Sequence, residues 1–193
     1  MKLDTEDSVE SDESLMVRIK SGDQKAFRTL AMRHGGRYRA LACRFVGDSA
    51  LAEDLVQESF VKLWTNADSF DGRRAKFTTW FHRVVVNRCL DEKRKRKLEP
   101  LPEGYDKPDS APRADDAMEQ EAAIATLLEA LAGLPDRQRV AVTLSYLDGL
   151  SNQEAADVME LNIKAYESLL VRARSKMRDS LMSGQADLMA AFG

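Results

Sequence analysis

The stretch Phe77–Lys97, FTTWFHRVVVNRCLDEKRKRK, begins with aromatic and apolar residues and ends in a run of basic ones. Plotted as a helix, it carries one apolar stripe, formed by Phe77, Phe81, Val84 and Val85. The adjoining face presents a flat ring, an amide and guanidiniums, contributed by Trp80, Arg83, Asn87, Asp91 and Arg94. Groups of these kinds suit a partner that has both bases and phosphates. The stretch alone is equally compatible with a core helix whose basic end is solvated and favoured by the helix dipole.

Charge is unevenly distributed along the 193 residues, whose formal net charge is −3. Residues 1–14 contain six acids and one lysine, and residues 99–121 contain eight acids and two basic residues. Between these segments, residues 82–98 contain seven Lys or Arg and two acids. Such segregation can hide a basic surface within an acidic average, so the overall charge does not exclude a nucleic-acid partner.

The rare residue types exclude several classes of protein. Cys43 and Cys89 are the only cysteines and lie in apolar helical patterns, which favours two reduced thiols in a cytosol over a disulfide. The only histidines are His34 and His82, and no Cys/His cluster has metal-ligand spacing, so we expect no metal and no other cofactor. The N-terminus is acidic, and no apolar run approaches membrane-spanning length. We therefore expect a cytoplasmic protein without membrane insertion.

Helical patterns fill the first half of the chain. One starts near Asp12, and Asp23 is a suitable N-cap for the next, which the pair Gly35-Gly36 is expected to kink or end. A further helix is capped by Asp48 or Ser49 and has a polar side made of Asp54, Gln57, Glu58 and Lys62. By residue type alone that side is a solvated face. A loop over residues 66–76 then leads to the Phe77 helix, for which Thr78 or Thr79 is an available cap.

A change of composition after residue 98 divides the chain. Periodicity stops there, and prolines and acids dominate, with Pro100, Pro102, Gly104, Pro108 and Pro112. We predict an all-α protein of two small helical domains joined by an acidic, Pro-containing linker. The predicted division is a disordered acidic tail at 1–11, a helical domain at 12–98, a flexible linker at 99–115, a helix-turn-helix domain at 116–182 and a C-terminal tail at 183–193.

The second domain contains the clearest local pattern. Ser151 and Glu154 have the spacing of a capping box at the start of a short helix. A tight turn at residues 160–162 separates it from a longer, basic helix that runs from Ile163 to about Ser180. A short helix, a three-residue turn and a basic second helix are typical of a DNA-binding helix-turn-helix, although any helical bundle can contain such a pair by chance.

Three stretches, taken in order, resemble the extracytoplasmic-function group of bacterial RNA polymerase sigma factors. Residues 52–64, AEDLVQESFVKLW, look like the second conserved region of that family, and residues 77–97 are similar to its promoter-melting and −10-reading segment. Residues 134–177 look like its fourth region, which reads the −35 element. The resemblance covers roughly residues 14–181. It implies a protein that binds core RNA polymerase, recognises promoter DNA and catalyses nothing, and that an anti-sigma factor holds inactive.

The resemblance also assigns roles to particular residues. The polar side of the 52–64 helix would dock on the clamp helices of core polymerase through Asp54, Gln57, Glu58 and Lys62. The −10 element would be contacted and melted by Trp80, Arg83, Asn87, Arg88, Arg94 and Lys95. The loop at 66–76 would hold an extruded base of the non-template strand, and the acidic linker would thread toward the RNA channel of the polymerase.

The start of the recognition helix departs from the family. A Thr-Val-Lys-Ser-Arg-like run is common there, whereas this chain has Ala165, Tyr166, Glu167, Ser168 and Leu169, and the preceding turn lacks its common glycine. The contacts expected from the usual Lys and Arg are therefore reassigned to Lys164, Ser168, Arg172 and Arg174.

Two other functions are compatible with the same sequence. A stand-alone helix-turn-helix regulator would bind duplex DNA tightly without polymerase and would not need Trp80. A protein-only adaptor would have lost its DNA surfaces, which the altered run at 165–169 favours. An enzyme is disfavoured because the sequence shows no triad, phosphate loop or metal set.

Overall fold

The computed structural model describes residues 10–98 and 126–191, and every regular element in these ranges is a helix. The predicted linker at 99–115 and most of the predicted N-terminal tail lie outside the described residues. The helices are α1 (Asp12–Lys20), α2 (Gln24–Val46), α3 (Ser49–Thr65), α4 (Phe77–Leu98), α5 (126–132), α6 (Asp136–Val142), α7 (Asn152–Val158) and α8 (Ile163–Ala191). A short 3₁₀ turn covers Ala67–Ser69, and α6 continues into a π-helical segment at Thr143–Leu147.

Helices α1–α4 form an N-terminal bundle around an aromatic and aliphatic core. Its fully buried large side chains are Leu15, Met16, Leu30, Tyr38, Leu41, Leu55, Leu63, Phe77, Phe81 and His82. The rings of Phe77 and Phe81 stack at 5.4 Å, and Tyr38 meets Phe81 edge-on at 4.7 Å. The predicted caps Asp23 and Asp48 are confirmed, since each side chain accepts two hydrogen bonds from the backbone of the first turn of its helix.

Helix α2 is continuous through Gly35 and Gly36, so the predicted kink or end is wrong. A glycine inside a helix costs about 1 kcal/mol relative to alanine. Buried residues on both sides of the pair, Leu30, His34, Tyr38 and Leu41, hold the helix against α1, α3 and α4. Tertiary packing therefore outweighs the local preference of the glycines.

The start of α4 also differs from prediction. The helix begins at Phe77, so Thr78 and Thr79 lie inside it rather than capping it. The backbone N–H of Phe77 instead donates to the carboxylate of Glu13 on α1, with an N–O distance of 3.0 Å. An acid at a helix N-terminus satisfies one of its free donors and interacts well with the helix dipole. A residue 64 positions away thus fixes where α4 starts.

Helices α5–α8 form a C-terminal bundle with the predicted helix-turn-helix. The capping box is confirmed: the Glu154 backbone N–H donates to Ser151 Oγ at 3.2 Å, and the Ser151 N–H donates to Glu154 Oε2 at 3.0 Å. Arg139 ties α6 to the end of α5 through hydrogen bonds to the carbonyls of Leu131, at 2.8 Å, and Leu134, at 3.1 Å.

Two residues of the unusual run at 165–169 belong to the core of this bundle. Tyr166 is fully buried, and its hydroxyl donates to the Ala141 carbonyl at 2.9 Å and lies 2.6 Å from Ser145 Oγ. Leu169 is buried against the same core. The departure from the family pattern at these two positions therefore serves packing.

Helix α8 is longer than predicted, because it extends to Ala191 instead of ending near Ser180. The added segment is rich in Ala, Leu and Met, which are strong helix formers, and its single Gly184 is tolerated. The residues predicted as a C-terminal tail are thus helical up to Ala191.

Candidate polymerase and nucleic-acid interface

The polar side of α3 lies on the surface of the N-terminal bundle. All four residues predicted to bind polymerase are exposed: Asp54, Gln57, Glu58 and Lys62. The opposite side of the helix is buried through Leu55, Ser59 and Leu63, so the polar residues form a single outward face. Among these four residues Glu58 contacts α4, since its Oε2 lies 2.5 Å from Arg88 Nε.

The predicted −10 face of α4 is present as a continuous surface. Trp80 is half-buried, with its ring 5.5 Å from Phe70 and 6.3 Å from Phe77. One to four turns further on, Arg83, Asn87, Arg94 and Lys95 are exposed. The indole is therefore fixed by its neighbours while the polar groups that follow it face outward.

Arg88 takes a different position from the other predicted −10 residues. Its guanidinium is half-buried and points toward α3, where it bonds to Glu58, and it also pairs with Glu92 at 3.3 Å. These contacts, chiefly the hydrogen bond that Arg88 donates to Glu58, raise the pKa of Arg88 above its ordinary value. Arg88 thus joins the predicted polymerase face on α3 to the predicted −10 helix, α4.

The loop between α3 and α4 is basic and locally ordered. Phe70 is buried, and its carbonyl accepts a hydrogen bond from Lys20 Nζ at 2.5 Å. Asp71 receives two hydrogen bonds of 3.0 Å from the Arg73 guanidinium, which with the Arg73 backbone N–H lower the pKa of that carboxyl to about 2. The side chains of Arg73, Arg74 and Lys76 remain exposed, and Arg74 and Lys76 line the same cleft as Trp80.

The recognition helix presents a narrow exposed stripe. Asn162 precedes the first residue of this helix, α8, and its Oδ1 accepts a hydrogen bond from the Ala165 N–H at 2.9 Å. Lys164, Ser168 and Arg172 lie together on this stripe, as predicted residues for the −35 element. Arg174 is exposed on a different side, where it borders an apolar groove with Leu127, Tyr146 and Met177.

Two features were missed by the sequence reasoning. Glu167 and Val171 are exposed beside Lys164, Ser168 and Arg172, and helical spacing alone would have placed them there. The apolar groove, of about 450 Å³, includes the exposed side chains of Tyr146, Leu147 and Met182. Exposed apolar patches of this kind are common at interaction sites of proteins.

Within the two described ranges, no group of three or more His, Cys, Asp or Glu side chains is arranged to hold a metal ion. In the same part of the chain, no helix is both long and apolar enough to cross a membrane.

Comparison with known proteins agrees with this layout. Residues 30–99 match the family described as Sigma-70 region 2, and residues 124–177 match Sigma-70, region 4. The RNA polymerase sigma-H factor of Pseudomonas aeruginosa is 30% identical over 190 residues, covering 89% of this chain and 94% of that protein. The ECF RNA polymerase sigma-E factor of Escherichia coli is 31% identical over 175 residues, covering 85% of this chain and 91% of that protein.

A solved structure shares the overall arrangement. The structure described as CnrH in complex with the cytosolic domain of CnrY is 29% identical and matches with a TM-score of 0.68, covering 90% of this chain and 99% of that one. This chain thus aligns with these sigma factors over nearly their whole length. It has an exposed α3 face, an aromatic and basic α4 face and a helix-turn-helix. The chain belongs to the extracytoplasmic-function (ECF) group of RNA polymerase sigma factors.

Proposed function

We propose that this chain binds core RNA polymerase through α3, recognises the −10 element through α4 and the −35 element through α8, and nucleates promoter melting. The observation that carries the proposal is the α4 surface, where a fixed indole, Trp80, is followed by the exposed Arg83, Asn87 and Arg94. A stacking ring beside cationic and amide groups suits single-stranded DNA better than a regular duplex. The proposed division is a domain at 12–98, a linker at 99–115 and a domain at 116–182.

Melting requires that unpaired bases be held. Unpairing and unstacking a base costs a few kcal/mol. Stacking on an aromatic side chain contributes about 1–3 kcal/mol per base. Trp80 and the adjoining loop at 66–76, with its exposed Arg73, Arg74 and Lys76, therefore offset that cost without any chemical reaction. We propose accordingly that the chain has no catalytic activity of its own.

The polymerase contact is assigned to Asp54, Gln57, Glu58 and Lys62 because they form one exposed polar face on a helix whose other side is packed. Charged surfaces of this kind set specificity and association rate in protein–protein contacts. On α8 the exposed Lys164, Ser168 and Arg172 are the contacts proposed for the −35 element, whereas Arg174 lies on a different side of the helix, beside the apolar groove.

Control by an anti-sigma factor is part of the proposal. The structurally similar CnrH was solved with the cytosolic domain of CnrY bound, and the two bundles of this chain offer an apolar groove and mixed-charge clefts as contact surfaces. We place the protein's action inside the cell, where RNA polymerase operates.

The test is in vitro transcription with purified core polymerase on a promoter library randomised at both elements. Specific starts, with enriched −35 and −10 sequences, support the proposed function. Binding to core without a specific transcript would favour the adaptor. Tight duplex binding without any binding to core would favour a stand-alone regulator.

A further inference from the structure

Part of the predicted −10 face of α4, at Trp80 and Arg83, faces the C-terminal bundle across a cleft. Arg83 Nη1 lies 3.2 Å from Glu160 Oε1, which belongs to the turn between α7 and α8. A cleft of about 710 Å³ separates Trp80 and Arg83 from the facing acids Glu154, Asp157 and Glu160. Carboxylates thus line the cleft opposite Trp80 and Arg83, and they would repel the phosphates of a DNA strand that entered it.

A buried carboxylate, Asp148, connects the two bundles. Its side chain is 4% exposed, with Oδ2 3.3 Å from His82 Nε2 and Oδ1 3.2 Å from Arg44 Nη1. The Asp148 carbonyl also accepts a hydrogen bond from Arg37 at 3.4 Å. His82 is fully buried and is held by the Thr78 carbonyl, 2.6 Å from its Nδ1. A buried charge is strongly unfavourable unless paired, so the residues that Asp148 contacts in the other bundle make the contact specific.

A third contact closes the far end of the interface. The Phe45 carbonyl, in the last turn of α2, accepts hydrogen bonds from Lys93 Nζ and from Arg139 Nη1 of the C-terminal bundle, both at 3.1 Å. Lys93 also pairs with Asp136 at 3.0 Å. The interface therefore runs along α4 from Trp80 to Lys93.

The turn residue that reaches Arg83 adopts a costly conformation. Glu160 has φ +53, the left-handed region that a side chain enters at a cost of about 1–2 kcal/mol. Its N–H and that of Leu161 donate to the carbonyls of Asp157 and Ala156, which is the helix C-terminal motif where glycine is usual. The turn thus has a strained glutamate where glycine would be relaxed, and the glutamate pairs with the −10 face.

We propose that this arrangement is an autoinhibited state, in which the acidic surface of α7 and its following turn covers the −10 face and Asp148 is the latch that holds it. The inference rests on the proposed function, since it assumes that α4 binds the −10 strand. The α3 face stays exposed in the closed state, so binding to polymerase does not require opening. Binding to single-stranded DNA does require opening. The apparent affinity for single strands is therefore reduced in proportion to the fraction of molecules that are open.

The experiment uses the full chain and measures closure separately from DNA binding. Spin labels on Val61→Cys and Val171→Cys, two exposed positions in different bundles, report the distance between the bundles in a Cys43→Ser background. Fluorescence anisotropy with a labelled single-stranded pool of random sequence reports DNA binding. The two latch variants are Asp148→Asn and Glu160→Gly. Asp148→Asn removes the charge at constant shape. Glu160→Gly removes the ion pair with Arg83 and relaxes the turn, so its effect cannot come from unfolding. The matched control is Asp179→Asn, an exposed acid on α8.

The expected result is one short distance in the parent chain and in Asp179→Asn, and longer, broader distances in both latch variants. If nine-tenths of the molecules are closed, full opening tightens the apparent Kd for single strands about tenfold. A broad distance distribution in the parent chain would overturn the closed state. Opening without tighter DNA binding would overturn the inhibitory role. Neither readout depends on transcription, so failure of the proposed function would appear separately, as a chain that closes but directs no specific starts.

Discussion

Glu58 of α3 and Arg88 of α4 form an ion pair with 2.5 Å between Oε2 and Nε, which links the face proposed for polymerase to the helix proposed for DNA. The Glu58 side chain is 55% exposed and that of Arg88 is 29% exposed. An exposed pair of this kind contributes about 0–1 kcal/mol to folding. The pair matters more for the position of Arg88, because any partner that binds Glu58 also competes for or repositions the Arg88 side chain of α4.

The first prediction concerns Glu58 itself. Glu58→Arg should weaken binding to core polymerase by about tenfold or more, since it reverses one charge of the docking face, which corresponds to about 1.4 kcal/mol. Binding is measured with immobilised core polymerase, and Asp179→Arg on α8 is the matched control. The double variant Glu58→Arg/Arg88→Glu restores the ion pair in reverse. If it also restored core binding, Glu58 would act by holding Arg88 rather than by touching polymerase.

The second prediction concerns Trp80. Trp80→Ala should leave core binding intact and reduce open-complex formation by about 5- to 150-fold, the effect of losing about 1–3 kcal/mol of base stacking. Permanganate reactivity of thymines in the −10 region measures the melted fraction. Because the indole also packs on Phe70 and Phe77, the alanine removes folding contacts as well. Trp80→Phe keeps a ring at the site and should retain most of the activity, and thermal unfolding of both variants separates stability from function. Equal melting by the parent chain and Trp80→Ala would remove Trp80 from the mechanism.

Periodicity and capping predicted much of this molecule. Of the predicted apolar stripe of α4, Phe77, Phe81 and Val85 are fully buried and Val84 is half-buried, and the fully buried Val86 was not predicted. The aspartate caps of α2 and α3 and the Ser151–Glu154 box were found as predicted because each involves residues within three positions of one another. Of the four residues assigned to the −35 element, Lys164, Ser168 and Arg172 share one exposed face of α8, whereas Arg174 lies on a different side, beside the apolar groove.

Contacts between distant residues could not be predicted in this way. Glu13 caps α4 from 64 positions away, and Asp148 meets His82 in the other bundle. Both carboxylates resemble ordinary surface acids in the sequence, since no spacing rule relates them to their partners. The placement of Arg88 against Glu58 was missed for the same reason: a helical wheel shows which side of α4 a residue occupies, but not which helix lies next to that side.

The third prediction concerns sequence recognition by α8. Glu167 is exposed beside Lys164 and Ser168, and a glutamate in the major groove accepts a hydrogen bond from cytosine N4. We expect the selected −35 element to contain a cytosine whose replacement costs about 1–3 kcal/mol. Glu167→Gln should relax that one position and leave the others unchanged. Repeating the promoter selection with the variant checks this outcome, with Asp179→Asn as the control. An unchanged preference at every −35 position would mean that Glu167 does not read a base.

The fourth prediction concerns the two thiols. Cys89 is fully buried, and burial raises the pKa of its thiol to about 12, whereas Cys43 is half-buried. The thiolate is the reactive form, so at pH 8 a pKa near 12 leaves a thiolate fraction of about 10⁻⁴. A disulfide-exchange reagent should therefore modify one thiol in the native chain and both thiols in guanidinium. Cys43→Ser should abolish the native reaction, and Cys89→Ala should preserve it. Native modification of Cys89 at a rate close to that of the unfolded chain would contradict its burial and would show that α4 opens readily from the core. With Cys89 protected, any response of this chain to an oxidant that requires a free thiolate falls to Cys43.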